Sequence, residues 1–281
     1  MQIMSKTITL RTKVLIEGLK FPESPRWHAD KLWFADMESH KVLTVDLNGK
    51  TKTILERPTP VSGLGWLPDN SLLVVSMVDN CLLRLDSDKV NVVADLNKFG
   101  IVYCNDMVVD KKGRAYVGNF GFDYVNGELF SPTKLILVNP NGEARVVADN
   151  MAFPNGTVIT PDDKTLIIAE TFASKLTAFD IMDDGSLVNR RVWANLKSLA
   201  PDGICLDIQG GIWVATPGRN RVVRVLEGGQ ITHIVKVEND ANACMLGGPD
   251  RKTLFVATSK QTRDAGRIEF VEVDIPGAGL P

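Results

Sequence analysis

The chain has 281 residues, 44% of them hydrophobic and 23% charged, and a formal net charge of −2. So near neutrality it carries no basic footprint for nucleic acid, and it holds no run of 18 apolar residues that would span a membrane as a helix. That length suits a single all-β barrel or propeller as readily as two smaller domains.

The opening MQIMSKTITLRTK lacks the apolar stretch of a secretory signal. Cys81, Cys104, Cys205 and Cys244 show no CxxC spacing, so reduced, buried thiols in a cytoplasmic protein are expected. Residues 10–18, LRTKVLIEG, read as a lone strand. Beyond it, strand-length apolar runs recur: LWFAD from Leu32, LLVVS from Leu72, AYVGN from Ala115, LIIAE from Leu166, IWVAT from Ile212 and LFVAT from Leu254. Their starts lie 40, 43, 51, 46 and 42 residues apart. Each follows a turn cluster such as HADK, LPDN or TPDDK, and each precedes a second apolar run such as KVLTVDL, KLILVNP or RVVRVLE. A further strand follows, as in TKTILER, and another precedes each turn, as in VSGLGWL.

Four short strands per unit, repeated at a period in the low forties, predict an all-β six-bladed propeller of four antiparallel strands per blade. The sixth unit lacks its fourth strand, so the N-terminal strand is expected to close it and remove the open edges. Small residues recur at the fourth place of the apolar runs (Ala35, Gly118, Ala169, Ala215, Ala257) and would let blades pack closely. No linker appears, so residues 1–281 read as one domain with almost no helix.

Oxygen-bearing side chains recur at matched places before these runs. Glu23 lies 9 residues before Leu32, Asn105 10 before Ala115, Asn155 11 before Leu166 and Asp202 10 before Ile212. Asn-Gly and Asp-Gly ordinarily mark hairpin turns, yet each unit has its turns elsewhere, and no tight turn calls for Glu23. Starting the innermost strands, the four would ring one mouth of the channel and suit a hard cation. The absence of His and Cys favours calcium or magnesium over zinc. His28, His40 and His233 read as solvated surface residues. Residues 120–132, FGFDYVNGELFSP, form the longest loop on that face, either a substrate lid or a blade cap.

The motifs FPESPRW, CND, FPNG and APDGI on six blades resemble the regucalcin, gluconolactonase and luciferin-regenerating-enzyme family, the senescence-marker-protein group, over essentially the whole chain. The resemblance implies that Glu23, Asn155 and Asp202 hold one divalent cation, calcium first, with magnesium, manganese or zinc as alternatives. It implies that Asn105 meets metal-bound water or substrate. Many members are lactonases; the related squid-type diisopropyl fluorophosphatase hydrolyses organophosphates. Tyr103 stands where sugar lactonases of the family commonly carry arginine, which exchanges a fork of donors for one hydroxyl and a ring. With Phe120 and Phe122 it forms the expected substrate-binding set, suited to a less polar ligand.

The expected activity is metal-dependent lactone hydrolysis with Asp202 as base, or as nucleophile. Asp106 and then Asp123 stand in reserve. No GxSxG elbow suggests a serine hydrolase. The alternatives are an organophosphate hydrolase and a calcium-binding propeller without turnover. The expected partner is a small lactone or ester, with no nucleic acid or membrane, in a monomer or homodimer.

Overall fold

The computed structural model describes residues 7–86, 89–260 and 264–279. Six small antiparallel sheets follow one another along the chain as the blades of a propeller. The second strands begin within a residue of the apolar runs, for example Lys31–Asp36, Leu72–Ser76 and Ile212–Thr216. Helix among the described residues is limited to three 3-10 turns, at Met37–Ser39, Asn97–Phe99 and Thr171–Ala173.

The sequence dictates this through alternation and turn chemistry. The second strands are buried on both faces, as Ile212–Thr216 is at every residue, because each lies between two neighbouring blades. Aspartates in the turns accept local N–H groups; Asp110 Oδ1 takes those of Lys112 and Arg114, both at 2.9 Å. Such Asx contacts make the turns cheap to form. Between blades, Ala35, Ala169, Ala215 and Ala257 are fully buried. A Cβ on Gly118 would come within 2.6 Å of the Pro154 carbonyl oxygen, so the next blade approaches too closely for a side chain.

The N-terminal segment closes the propeller, but in two pieces. Lys13–Leu19 pairs antiparallel with Gly266–Glu272 and completes blade six. Ile8–Arg11 instead joins blade five, parallel to Ile231–Lys236, as a fifth strand. The closing strand therefore begins at Lys13, and Leu10 and Arg11 belong to the neighbouring blade. Residues 276–278 lie over the ends of the inner strands of blades five and six. Ile208 N donates to Pro276 O at 3.0 Å, Gly277 N to Arg251 O at 2.8 Å and Ala278 N to Leu206 O at 2.9 Å.

All four cysteines are free and buried. The histidines depart from expectation. His28 is half-buried and stacks on Trp66 with ring centroids 4.1 Å apart. His233 is buried, its ring 5.3 Å from that of Trp213 and its Nε2 3.4 Å from Asp274 Oδ1. An outer strand is not solvated where the C-terminal segment packs over it. No helix among the described residues is long and apolar enough to cross a membrane.

Candidate metal and active site

The innermost strands are irregular where the oxygen-bearing residues sit. Register shifts fall between Glu23 and Arg26, Cys104 and Met107, and Pro154 and Thr157, with others at Val61/Leu64 and Ala241/Ala243. A bulge leaves residues out of the ladder and re-aims their side chains. Asn105 and Asn155 sit within two of these bulges, and Glu23 opens a third. The Asn-Gly and Asp-Gly pairs are thus not hairpin turns. Their glycines serve close approach: a Cβ on Gly156 would lie 2.5 Å from Ile204 N, and one on Gly203 2.2 Å from the Ala243 Cβ.

The side chains are held from behind, with oxygens to spare. Asn105 Nδ2 donates to Pro154 O at 3.3 Å. Asn155 Nδ2 donates to Thr171 Oγ1 at 3.2 Å, and that hydroxyl donates to Pro201 O at 2.8 Å. Both amides thus spend a donor on protein acceptors, leaving their Oδ1 atoms without a protein donor among the described residues. Glu23 Oε2 accepts the Ser24 N–H at 2.9 Å. Asp106 is fixed differently. Its Oδ1 takes Arg26 Nη2 at 2.7 Å and the Met107 N–H at 2.8 Å, so it braces the wall as an ion-paired carboxylate.

Electrostatics mark the same place. Burial, then the charges of Asp202 and Asp106, push the Glu23 carboxyl well above its ordinary range; the Ser24 N–H and Arg26 oppose this. Burial and the Asp106 charge likewise push Asp202 up, with Asn155 offsetting part of the rise. Glu23, Asp106 and Asp202 thus share one confined region with a single guanidinium, Arg26. Like charges held together in low dielectric resist ionisation. Among the described residues no three His, Cys, Asp or Glu side chains form a metal set. The candidate set is instead two carboxylates and amide oxygens, which fits a hard, oxygen-seeking cation whose charge would reverse the repulsion.

Aromatic rings wall the side next to Asn105 and Asn155. Tyr103 meets Phe120 edge-on at 5.8 Å, and Phe120 lies 4.3 Å from Phe153. Phe172, beside Thr171, packs on Phe122, Tyr124, Phe130 and Phe153 at 5.2 to 5.9 Å. Tyr103 and Phe120 keep part of their surface open. Phe122, expected at the ligand, is 2% exposed and sits inside this cluster, where it anchors the 120–132 loop. Asp123 accepts the backbone and side-chain N–H groups of Asn126 at 3.1 and 2.7 Å within a turn of the 120–132 loop, so its carboxylate is already engaged.

Sequence reasoning gave no role to Arg26, Thr171, Phe153 or Phe172. Arg26 and Phe153 lie inside the quoted FPESPRW and FPNG motifs, but their partners are fixed by blade order.

Residues 21–260 match the SMP-30/Gluconolactonase/LRE-like region. Regucalcin from Xenopus laevis is 28% identical over 271 residues, covering 88% of this chain and 85% of that protein. The pentonolactonase XacC from Haloferax volcanii is 24% identical over 277 residues, covering 95% and 91%. The crystal structure of a calcium-binding protein, regucalcin, from Agrobacterium tumefaciens superposes with a TM-score of 0.84 at 19% identity, covering 98% of this chain and 99% of that one, a likeness of fold. With the match spanning most of the chain, this protein belongs to the SMP-30/gluconolactonase/LRE-like family.

Proposed function

We propose that this protein is a divalent-metal-dependent lactonase. The observation that supports the reading is the buried placement of Glu23 within the field of Asp202, with Asn155 hydrogen-bonded to Asp202. Family membership and the likeness to a pentonolactonase support it. Glu23, Asn155 and Asp202 would hold the cation, calcium by the oxygen-only set. When bound it supplies Lewis acidity toward the lactone carbonyl and offsets the negative charge that develops there. Asp202 takes the proton of the attacking water at a carboxylate oxygen, which the cation's charge keeps in the basic, ionised form. Asn105 orients that water or the substrate through its free Oδ1. Arg26 pairs with Asp106 and fixes it in place, away from the proton transfer. Tyr103 and Phe120 contact the ring substituent, and an aromatic wall favours apolar lactones over polyol lactones.

The test is a panel of sugar, alkyl and aryl lactones with a fluorophosphate, read by acid release after chelation and add-back of calcium, magnesium, manganese or zinc. Lactone turnover restored by metal is expected. Turnover of the fluorophosphate alone would replace this reading with phosphotriester hydrolysis. Metal binding without any turnover would leave a calcium-binding propeller.

A further inference from the structure

The fifth strand of blade five has a chemical consequence. Its register sets Arg11 opposite Lys236, and Lys236 is in turn opposite Arg221 on the next strand. Three cations thus stand in a row across three hydrogen-bonded strands. Arg219, in the loop just before, makes a fourth, and all four line a groove of about 520 Å³ with Thr9, Asn220, Ile234 and Val237. Among the described residues no carboxylate lines it. Glu238, which follows Val237, is turned to Arg267 at 2.7 Å, and Asp240 accepts the Gly218 N–H at 2.8 Å. Among the described residues none of the four cationic side chains forms an ion pair or donates a hydrogen bond to protein. The Arg221 Nε is buried without a partner.

Like charges directly opposite in a sheet are destabilising, and a buried guanidinium N–H without an acceptor adds to the cost. Both are relieved by an anion. We propose that this groove binds a small phosphate-bearing ligand carrying two phosphate groups. Guanidinium forks match phosphate oxygens in a bidentate manner. A row spanning two strand spacings, roughly 10 Å, suits charge spread over a diphosphate better than a single phosphate. The site is a concave groove on a molecule of net charge −2, which disfavours a polyanion or an anionic membrane, since both are gathered by a broad basic field. A ligand bridging Arg11 to Lys236 and Arg221 would also pin Ile8–Arg11 to blade five.

The probe is inorganic pyrophosphate, titrated by calorimetry at constant ionic strength with a chelator present, so that no channel cation recruits it. Binding at least 10-fold tighter than inorganic phosphate is expected, with slowed amide exchange at residues 8–11. Arg11→Gln, at the exposed edge, should weaken binding several-fold without lowering the melting temperature of the free protein. Arg221→Gln with Lys236→Gln should weaken it 10-fold or more. Heat equal to that of sodium chloride at matched ionic strength overturns the proposal, as does unchanged affinity in Arg11→Gln. Sedimentation with phosphatidylserine vesicles in the absence of pyrophosphate binding would assign the groove to a membrane surface instead.

Discussion

At the scale of single residues, the division of labour between Glu23 and Asp202 is the point to test. Glu23→Gln keeps an oxygen but lowers the charge of the set, so metal affinity should fall and excess metal should recover most of the rate. Asp202→Asn also keeps an oxygen and removes the basic carboxylate. Turnover should drop about 10²-fold or more at saturating metal, the usual contribution of a positioned base. A near-parental rate at saturating metal would make Asp202 a ligand only. Tyr103 should govern preference: Tyr103→Arg adds a donor fork beside Asn105 and should raise kcat/KM for polyol lactones relative to alkyl lactones. A fixed ratio would assign selection to Phe120 or the lid. Matched register before four of the six apolar runs made Glu23, Asn105, Asn155 and Asp202 stand out in the sequence. Arg26 was not, because its partner Asp106 lies 80 residues away and two blades on.

At the scale of strands, the N-terminal segment separates two functions. Lys13–Leu19 covers the open edge of blade six, burying Leu19 among Trp27, Phe255 and Ile268 in one core. Ile8–Arg11 adds a strand to a blade already complete. Removing residues 1–12 should therefore leave a soluble, folded protein. Removing residues 1–19 should expose the edge of Gly266–Glu272 and abolish soluble expression. Equal behaviour of the two truncations, by size-exclusion chromatography and thermal melting, would contradict this division. The glycines of the inner strands make a second case. Gly203→Ala forces a methyl against the Ala243 Cβ and should cost about 1–3 kcal/mol, as overpacking does, measured by denaturant unfolding. Strand existence was legible because alternation and turn residues act within a hairpin. The split of residues 10–18 was not, since LRTKVLIEG alternates without a break and only two different partners divide it.

At the scale of the whole molecule, stability and the channel charges are linked. Glu23 and Asp202 hold their protons more tightly in the folded protein than as free carboxylates, Asp202 up to about 8. The folded state therefore binds more protons than the unfolded one between the ordinary carboxylate range and that value. Stability of the metal-free protein should fall as pH rises through that window. A bound dication reverses the sign of the local field, so the metal-loaded protein should lose less. At a metal concentration 100-fold above Kd, the added stability is about 2.7 kcal/mol. Melting curves at pH 5, 6.5 and 8, with chelator and with calcium, check both statements. A chelated protein that melts at the same temperature across that range would show that the two carboxylates do not repel as their placement requires.

The sequence by itself determined the repeat, the six units, nearly all their strands and the oxygen-bearing residue at the start of four inner strands. Each of these rests on short-range physics: alternation that buries one face, Asp and Gly in turns, and small side chains where sheets touch. Tertiary structure decided what depends on closing the ring. It bent the inner strands into bulges at Glu23, Asn105 and Asn155 and set Glu23 within the field of Asp202. It set Arg26 against Asp106, and it gathered Phe153 and Phe172 with the aromatics of the 120–132 loop. It also tied residues 276–278 to blades five and six and placed Arg11 beside Lys236. Such contacts join residues tens to hundreds of positions apart, and their energies exist only once six blades are packed around one axis.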